Sequence, residues 1–148
     1  MNFKEEQKEL DLRLLRIFAK AYEAVSINIG KDVAKHNLGP ETFRILELLY
    51  SKGPHTLQKI SEKFSIPSGS ITFVVNKLVK QGFVERQPNP QDGRASDAIL
   101  TGQGKALFDE IFPKHVETIS QNFSFLNNEE KEQLIGLLKK IGIGAQKL

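Results

Sequence analysis

Several residue types are scarce or missing from this chain of 148 residues, which has no cysteine, no tryptophan and one methionine. Without cysteine the chain can form no disulfide and no thiolate, so sensing of peroxides or electrophiles through a reactive thiol is excluded. The histidines His36, His55 and His115 are dispersed along the sequence and show no metal-ligand spacing. We therefore expect packing or surface roles for them, no metal site and no cofactor.

Long apolar runs and a signal-peptide pattern are also missing, so we expect a cytoplasmic protein with no membrane partner. The formal net charge is only +3, and attraction to a polyanion would therefore depend on local placement of Lys and Arg. A chain of this length suits one domain with a real core, here residues 1–148.

Enzyme signatures are missing too. The sequence has no His-Glu-x-x-His, Gly-x-Ser-x-Gly, phosphate loop or dinucleotide fingerprint, and the run Gly102-Gln103-Gly104 only begins a helical pattern. The carboxylates Glu129 and Glu130 stand at a helix start, where capping explains them. We therefore predict no catalytic residue and no enzymatic activity.

The segment from Thr56 to Thr101 carries the clearest pattern in the chain. Residues 56–64 form a short helical pattern that opens on a capping threonine, with Leu57 and Phe64 on one face. Residues 65–69 interrupt it around a proline, which suits the first turn of a following helix. A second pattern over residues 67–81 has apolar residues at helical spacing, namely Ile71, Val74, Val75, Leu78 and Val79.

The other faces of this second helix carry small, polar and basic residues together with one phenylalanine. They are Ser68, Ser70, Thr72, Phe73, Asn76, Lys77 and Lys80. Small hydroxyls allow a helix to approach phosphates and base edges closely, and Asn and Lys supply donors for the DNA major groove. An ordinary solvated helix face has the same composition, so the helix alone leaves both interpretations open.

A β-hairpin is predicted directly after the second helix. Gly82 is placed for a left-handed helix cap, residues 83–87 and 98–101 favour strands, and residues 88–93 are rich in turn formers. Near the tip, Asp92 could brace Arg94 and direct it outward, where a narrow minor groove attracts guanidinium groups. A tip arginine that is merely solvated is the alternative.

Together these residues resemble the MarR family of bacterial winged-helix transcription regulators. The family's wing pattern, Asp-x-Arg followed by Leu-Thr-x-x-Gly, is matched by Asp92-Gly93-Arg94 and by the run from Leu100 to Gly104. Its helix ending, Leu-x-x-x-Gly followed by an apolar pair and Glu-Arg, is matched from Leu78 to Arg86. The resemblance implies a mainly α fold with a small β-hairpin wing, and adds Arg86 and Asp92 to the DNA-binding residues.

The reading segment, residues 67–78, is most similar to the subgroup that senses hydroquinones and related phenolics. Two residues depart from the family pattern. Phe73 stands where many members have a polar or basic residue, and Asp97 places a negative charge in the returning strand. These departures leave the base-contact pattern open.

Long helical patterns flank the reading module, which we place at residues 40–101. One runs from residue 11 to about 37; a second, over residues 40–51, opens the module; a third, over about 103–126, contains Pro113, which should kink or break it. Residues 127–130 resemble a capping box that opens a final helix. The resemblance implies that helices within 10–37 and 103–146 mediate dimerisation, through stripes that include Leu15, Tyr22, Leu134 and Ile141.

The family resemblance implies a homodimer that binds double-stranded DNA at an inverted repeat, as a repressor released by a small phenolic or quinone-like effector. Residues that could line an effector pocket are Phe18, Tyr22, His36 and Phe43. Core packing explains the apolar ones equally well. A winged helix that binds protein partners instead of DNA is the main alternative. The effector, the operator and the direction of regulation stay open.

Overall fold

The computed structural model describes residues 2–148. Nine elements follow one another along this part of the chain, six helices and three short strands. The elements are α1 Phe3–Lys35, α2 Pro40–Lys52, β1 His55–Thr56, α3 Leu57–Phe64, α4 Ser68–Lys80, β2 Val84–Pro88, β3 Ser96–Leu100, α5 Gly102–Asn122 and α6 Asn128–Gln146. The prediction of a mainly α fold with a small wing is confirmed.

Two predicted helix boundaries need correction. Helix α1 begins at Phe3 instead of near residue 11, and Asn2 accounts for the earlier start because its side-chain oxygen accepts a hydrogen bond from the backbone N of Glu5. Helix α5 continues through Pro113 without a break and ends at Asn122. A proline removes one hydrogen bond and adds one steric conflict, and the helix on either side of it retains the rest of its ladder.

The chain divides into two compact units. The winged-helix unit spans residues 29–115, and the terminal unit consists of residues 2–28 together with 116–148. The winged-helix unit contains all the buried hydrophobic side chains of the described chain, from Val33 to Ile111. Its centre includes Ile45, Leu46 and Phe108, with Phe43 and Phe108 in ring contact at 5.2 Å between centroids.

A three-stranded antiparallel sheet, with the strand order β1-β3-β2, closes one side of the winged-helix unit. The hairpin places Val84 opposite Leu100 and Arg86 opposite Ala98. The short outer strand β1 pairs His55 with Ala98 and was not predicted from the sequence. With only two residues, β1 is too short to show the alternation by which a strand is recognised.

The terminal unit consists of the first part of α1, the last part of α5 and all of α6. Within it, the Asn28 amide donates to the Asn122 side-chain oxygen at 2.8 Å. The predicted capping box is present: Asn127 accepts from the backbone N of Glu130, and the Glu130 carboxylate accepts from the backbone N of Asn127. No helix formed by residues 2–148 is long and apolar enough to cross a membrane.

Candidate nucleic-acid interface

The turn between α3 and α4 is fixed by local hydrogen bonds. Thr56 caps α3 by accepting from the backbone N of Lys59 at 3.1 Å, as predicted. Ser65 ends α3 in the left-handed region at φ 52°, and the Ser61 hydroxyl donates to the carbonyl of Ile66. Pro67 then stands immediately before the first residue of α4. These bonds hold the two helices as a helix-turn-helix.

Helix α4 divides cleanly into two faces. Its inner face carries Ile71, Val75 and Leu78, which are fully buried in the core. The predicted DNA-facing residues lie outside, with Thr72 half-buried and the others exposed, namely Ser68, Ser70, Phe73, Asn76, Lys77 and Lys80. The Thr72 hydroxyl donates to the carbonyl of Ser68 at 2.9 Å, so its proton is used within the helix.

The outer face of α4 is joined to the wing by one side-chain hydrogen bond. Arg86, on β2, donates from Nη1 to the Asn76 Oδ1 at 2.9 Å. A guanidinium can only donate, so it fixes which end of the Asn76 amide faces the wing. The Asn76 NH₂ group therefore points away from Arg86 and presents two donors.

The wing tip is ordered by a network around Asn89. Its side-chain oxygen accepts from the backbone N of Gln91 and of Asp92, at 2.9 and 3.1 Å, and its NH₂ donates to Asp97 at 2.9 Å. The negative charge of Asp97 was one reason why the base-contact pattern was not predicted. In the structure Asp97 is half-buried and accepts this hydrogen bond within the wing. Asn89 is a functional residue missing from the predicted set, although an Asn next to prolines in a turn is a recognisable signal.

Asp92 organises Arg94 differently from the expectation. The Asp92 Oδ1 accepts from the backbone N of Arg94 at 3.0 Å, which is an Asx turn, and the carboxylate shows no contact with the guanidinium in the described chain. The Arg94 side chain is exposed at the tip. The brace that was expected from Asp92 therefore acts on the backbone and leaves the guanidinium available.

The Leu-Thr-x-x-Gly motif forms the joint between the wing and α5. The Thr101 hydroxyl donates to the carbonyl of Gly82 at 2.6 Å and accepts from the backbone N of Gly104 at 3.1 Å. A Cβ on Gly104 would collide with the carbonyl oxygen of Phe83 and the side chain of Leu100. Gly82 has a φ of 83°, which confirms the left-handed cap. Gly104 is therefore required by the close approach of neighbouring atoms, and Gly82 by its backbone conformation.

The four candidate effector residues fall into the two separate units. Phe18 and Tyr22 belong to the terminal unit and are exposed, Tyr22 at 70%. Phe43 is 3% exposed and packs against Phe108 and His115, so core packing accounts for it. His36 is half-buried in the winged-helix unit. The effector pocket therefore stays a prediction.

Two of the dispersed histidines meet at one buried carboxylate. His115 donates from Nδ1 to the Asp32 Oδ2 at 2.9 Å, and the His36 Nε2 lies 3.7 Å from the same oxygen. The 83 residues that separate Asp32 from His115 in the sequence concealed this cluster. His55 instead contacts the carbonyl of Gly53 through Nδ1 at 2.8 Å. Among residues 2–148, no group of His, Asp and Glu has the arrangement of a metal site.

A helix-turn-helix, a polar outer helix face and an ordered wing with an exposed arginine at its tip define a winged-helix DNA-binding protein. The sequence profile of the MarR family matches residues 38–96. The HTH-type transcriptional regulator YkoM of Bacillus subtilis strain 168 is 41% identical over all 148 residues, which cover 96% of that protein. The chain belongs to the MarR family of transcriptional regulators.

Other relatives agree with this assignment. The HTH-type transcriptional regulator MhqR of Bacillus subtilis strain 168 is 38% identical, over 93% of this chain and 95% of that protein. A MarR transcriptional regulator from Methanosarcina mazei Go1 has the same fold, with a TM-score of 0.73 at 24% identity over 90% of this chain and 96% of its own. NadR in complex with 4-hydroxyphenylacetate superposes with a TM-score of 0.73 at 26% identity, over 84% and 88%.

Proposed function

We propose that two copies of this chain bind an inverted-repeat operator, with α4 of each copy in a major groove and each wing against the flanking minor groove. The observation that carries this proposal is the hydrogen bond from Arg86 to Asn76, which joins the outer face of α4 to the ordered wing. The reading helix and the wing then approach DNA as one surface. In a symmetric dimer, the half-site centres lie about one helical turn apart.

The polar contacts follow from the described geometry. Asn76 offers its two N–H donors to base acceptors, because its oxygen is engaged by Arg86. Ser68 and Ser70 stand exposed in the first turn of α4, where hydroxyls and backbone N–H groups bind phosphate oxygens. Lys77 and Lys80 supply positive charge on the same helix, and Arg94 supplies it at the wing tip.

Dimerisation is supported by the surface of the terminal unit. None of its described residues is buried, and its helices expose large apolar side chains at helical spacing. The predicted stripes are included: Leu15, Phe18 and Tyr22 on α1, and Leu134, Leu137, Leu138 and Ile141 on α6, are all exposed in the single chain. Contact with a second copy would remove this apolar surface from water.

Release by a small phenolic ligand is the finer part of the proposal. It is supported by the likeness to NadR, which was solved in complex with 4-hydroxyphenylacetate. Such a ligand changes DNA affinity only if it binds unequally to two conformations of the dimer that differ in the distance between the two α4 helices. Since the chain has no cysteine, brief peroxide treatment should leave operator binding unchanged, and a loss that a thiol reductant restores would contradict this mode of sensing.

The test of DNA binding uses duplexes selected from a random pool and the charge-matched pair Arg94→Ala and Lys139→Ala. Both parent residues are exposed, but Lys139 lies on α6 in the terminal unit. Arg94→Ala should weaken binding at every sequence and make the negative slope of log affinity against log salt shallower by about 1, while Lys139→Ala should do neither.

Two results would contradict the proposal. If Arg94→Ala binds the selected duplex as tightly as the parent protein at both low and high salt, the role of the wing is wrong. If no duplex is bound in a salt-dependent manner, the alternative of a winged helix that binds protein partners takes precedence.

A further inference from the structure

A large aromatic side chain stands exposed at the centre of the outer face of α4. The side chain of Phe73 is 73% exposed. The chain has nine other phenylalanines, and several of them pack in or against the core. Phe73 takes no part in the buried cluster or in the aromatic contacts of the described residues. Folding of the single chain therefore gives no reason for an aromatic ring at this position.

A glycine precedes Phe73 by one helical turn, and it too lacks a structural reason. A Cβ built on Gly69 meets no atom within 4 Å, and its φ is not in the left-handed region. Glycine weakens a helix relative to alanine, because the unfolded chain loses more conformational freedom on folding. Gly69 is set apart from the other helical glycines by its place on the outer face of α4, where its missing side chain leaves open space beside Phe73.

Phe73 shares one helix face with Gly69, four residues before it, and with Asn76 and Lys77, three and four residues after it. Polar donors thus border the ring on the C-terminal side, and open space borders it on the N-terminal side. This pattern matches the major-groove edge of an A·T pair, where the 5-methyl group of thymine is an apolar contact beside polar acceptors.

We infer that Phe73 reads the 5-methyl group of a thymine in each half-site, and that Gly69 allows the helix backbone to approach the DNA closely enough for this contact. The inference rests on the proposed DNA-binding function and adds a base preference to it. The ring excludes water from the methyl group, while Asn76 donates to an acceptor on a neighbouring base edge. Phe73 is then a specificity residue, and Gly69 acts by leaving space.

The experiment replaces thymine by deoxyuridine at one position at a time in the selected duplex. This change removes the methyl group and keeps every hydrogen-bonding group of the base. We expect one position in each half-site at which the parent protein loses roughly fourfold in affinity, the equivalent of one buried methyl group of about 0.8 kcal/mol. Phe73→Ala should bind thymine and deoxyuridine equally at that position, and Phe73→Leu should retain part of the preference.

Two further variants separate contact from folding. Phe125→Ala removes another exposed ring, 89% exposed between α5 and α6, and should keep the full thymine preference. Gly69→Ala should unfold at a higher temperature than the parent and bind the duplex at least tenfold more weakly, since a Cβ would stand between helix and DNA.

The outcomes distinguish this inference from the function on which it rests. If the parent protein binds a selected duplex but tolerates deoxyuridine at every position, Phe73 does not read a methyl group and the inference is wrong. It is equally overturned if Phe73→Ala keeps the preference, or if Gly69→Ala binds as well as the parent. Absence of any duplex binding would overturn the proposed function, and this inference with it.

Discussion

The two units of the chain are both helical and amphipathic, yet they differ in what happens to their apolar side chains. In the winged-helix unit, apolar residues from Val33 to Ile111 are buried in a core. In the terminal unit, no described residue is buried, and side chains such as Leu137 are left 59% exposed. One unit satisfies its hydrophobic faces within the chain, while the other presents a surface that a second copy can cover.

The largest effect is expected in the winged-helix core. Phe108→Ala removes a fully buried ring that contacts Phe43 and Tyr50, and should lower the free energy of unfolding by about 3–5 kcal/mol. Chemical denaturation followed by circular dichroism measures this loss. Phe125→Ala is the control in the terminal unit and should cost less than about 1 kcal/mol. Equal losses in the two variants would erase the contrast between the units.

A charge in the exposed stripe of the terminal unit tests the other half of the comparison. Leu137→Glu should weaken dimerisation by on the order of 2–4 kcal/mol, because a carboxylate would be buried against the second copy. Gln133→Glu adds the same charge to an exposed polar position of α6 and should leave the dimer intact. Sedimentation velocity over a concentration series compares them. A dimer unaffected by Leu137→Glu would place the interface elsewhere.

The joint between α4 and the wing should show a smaller effect. Gly82→Ala forces a side chain into a backbone with φ 83°, where its Cβ would lie 2.7 Å from the Gln103 Oε1. The expected loss is about 1–2 kcal/mol of unfolding free energy. Thermal unfolding of Gly82→Ala and Gly69→Ala should show shifts of opposite sign. A stabilised Gly82→Ala protein would mean that the turn does not need the left-handed conformation.

How far the sequence predicted each feature depends on the range of the interactions. Features set by near neighbours were predicted, such as the Thr56 cap, the Asn127 capping box and the turn at Gly82. Residues that come together through tertiary packing were missed, because no local spacing encodes the contact between Asp32 and His115. The two-residue strand β1 was missed for the same reason, since its partner β3 is distant in sequence.

The candidate site shows the same division. The site residues on α4 could be predicted from the helical period of that segment, and most of them are exposed as that period requires. The hydrogen bonds that connect these residues could not be predicted from the sequence. The bond from Arg86 to Asn76 and the Asn89 network depend on how the hairpin folds back. The sequence therefore predicted which side chains of α4 are exposed, and the structure supplied their orientation, while their contacts with DNA stay a prediction.

A still weaker effect is expected at a cluster formed by Tyr50 of α2 with Lys105 and Asp109 of α5. The Asp109 carboxylate accepts hydrogen bonds from the Tyr50 hydroxyl at 2.7 Å and from the Lys105 ammonium at 2.9 Å. These bonds hold the pKa of the Asp109 carboxyl below its ordinary value. A lowered pKa in the folded state stabilises the protein above the ordinary carboxyl pKa, and this stabilisation is lost as the pH falls through the lowered value.

Asp109→Asn should therefore be slightly less stable than the parent at neutral pH, and the difference should fade under acid conditions. Thermal unfolding between neutral pH and about pH 3 measures it, with Glu110→Gln as the control at the neighbouring exposed carboxylate. A difference that grows as the pH falls would show that the bonds at Asp109 do not favour the charged form.

We expect the terminal unit to be half of an interface between two copies, so that two winged-helix units bind one operator. Sedimentation equilibrium of the purified chain at micromolar concentration, alone and with the selected duplex, tests this most directly. We expect twice the chain mass of 16.7 kDa in the free protein and two chains for each inverted repeat. A monomer that binds a single half-site as tightly as the full repeat would contradict it.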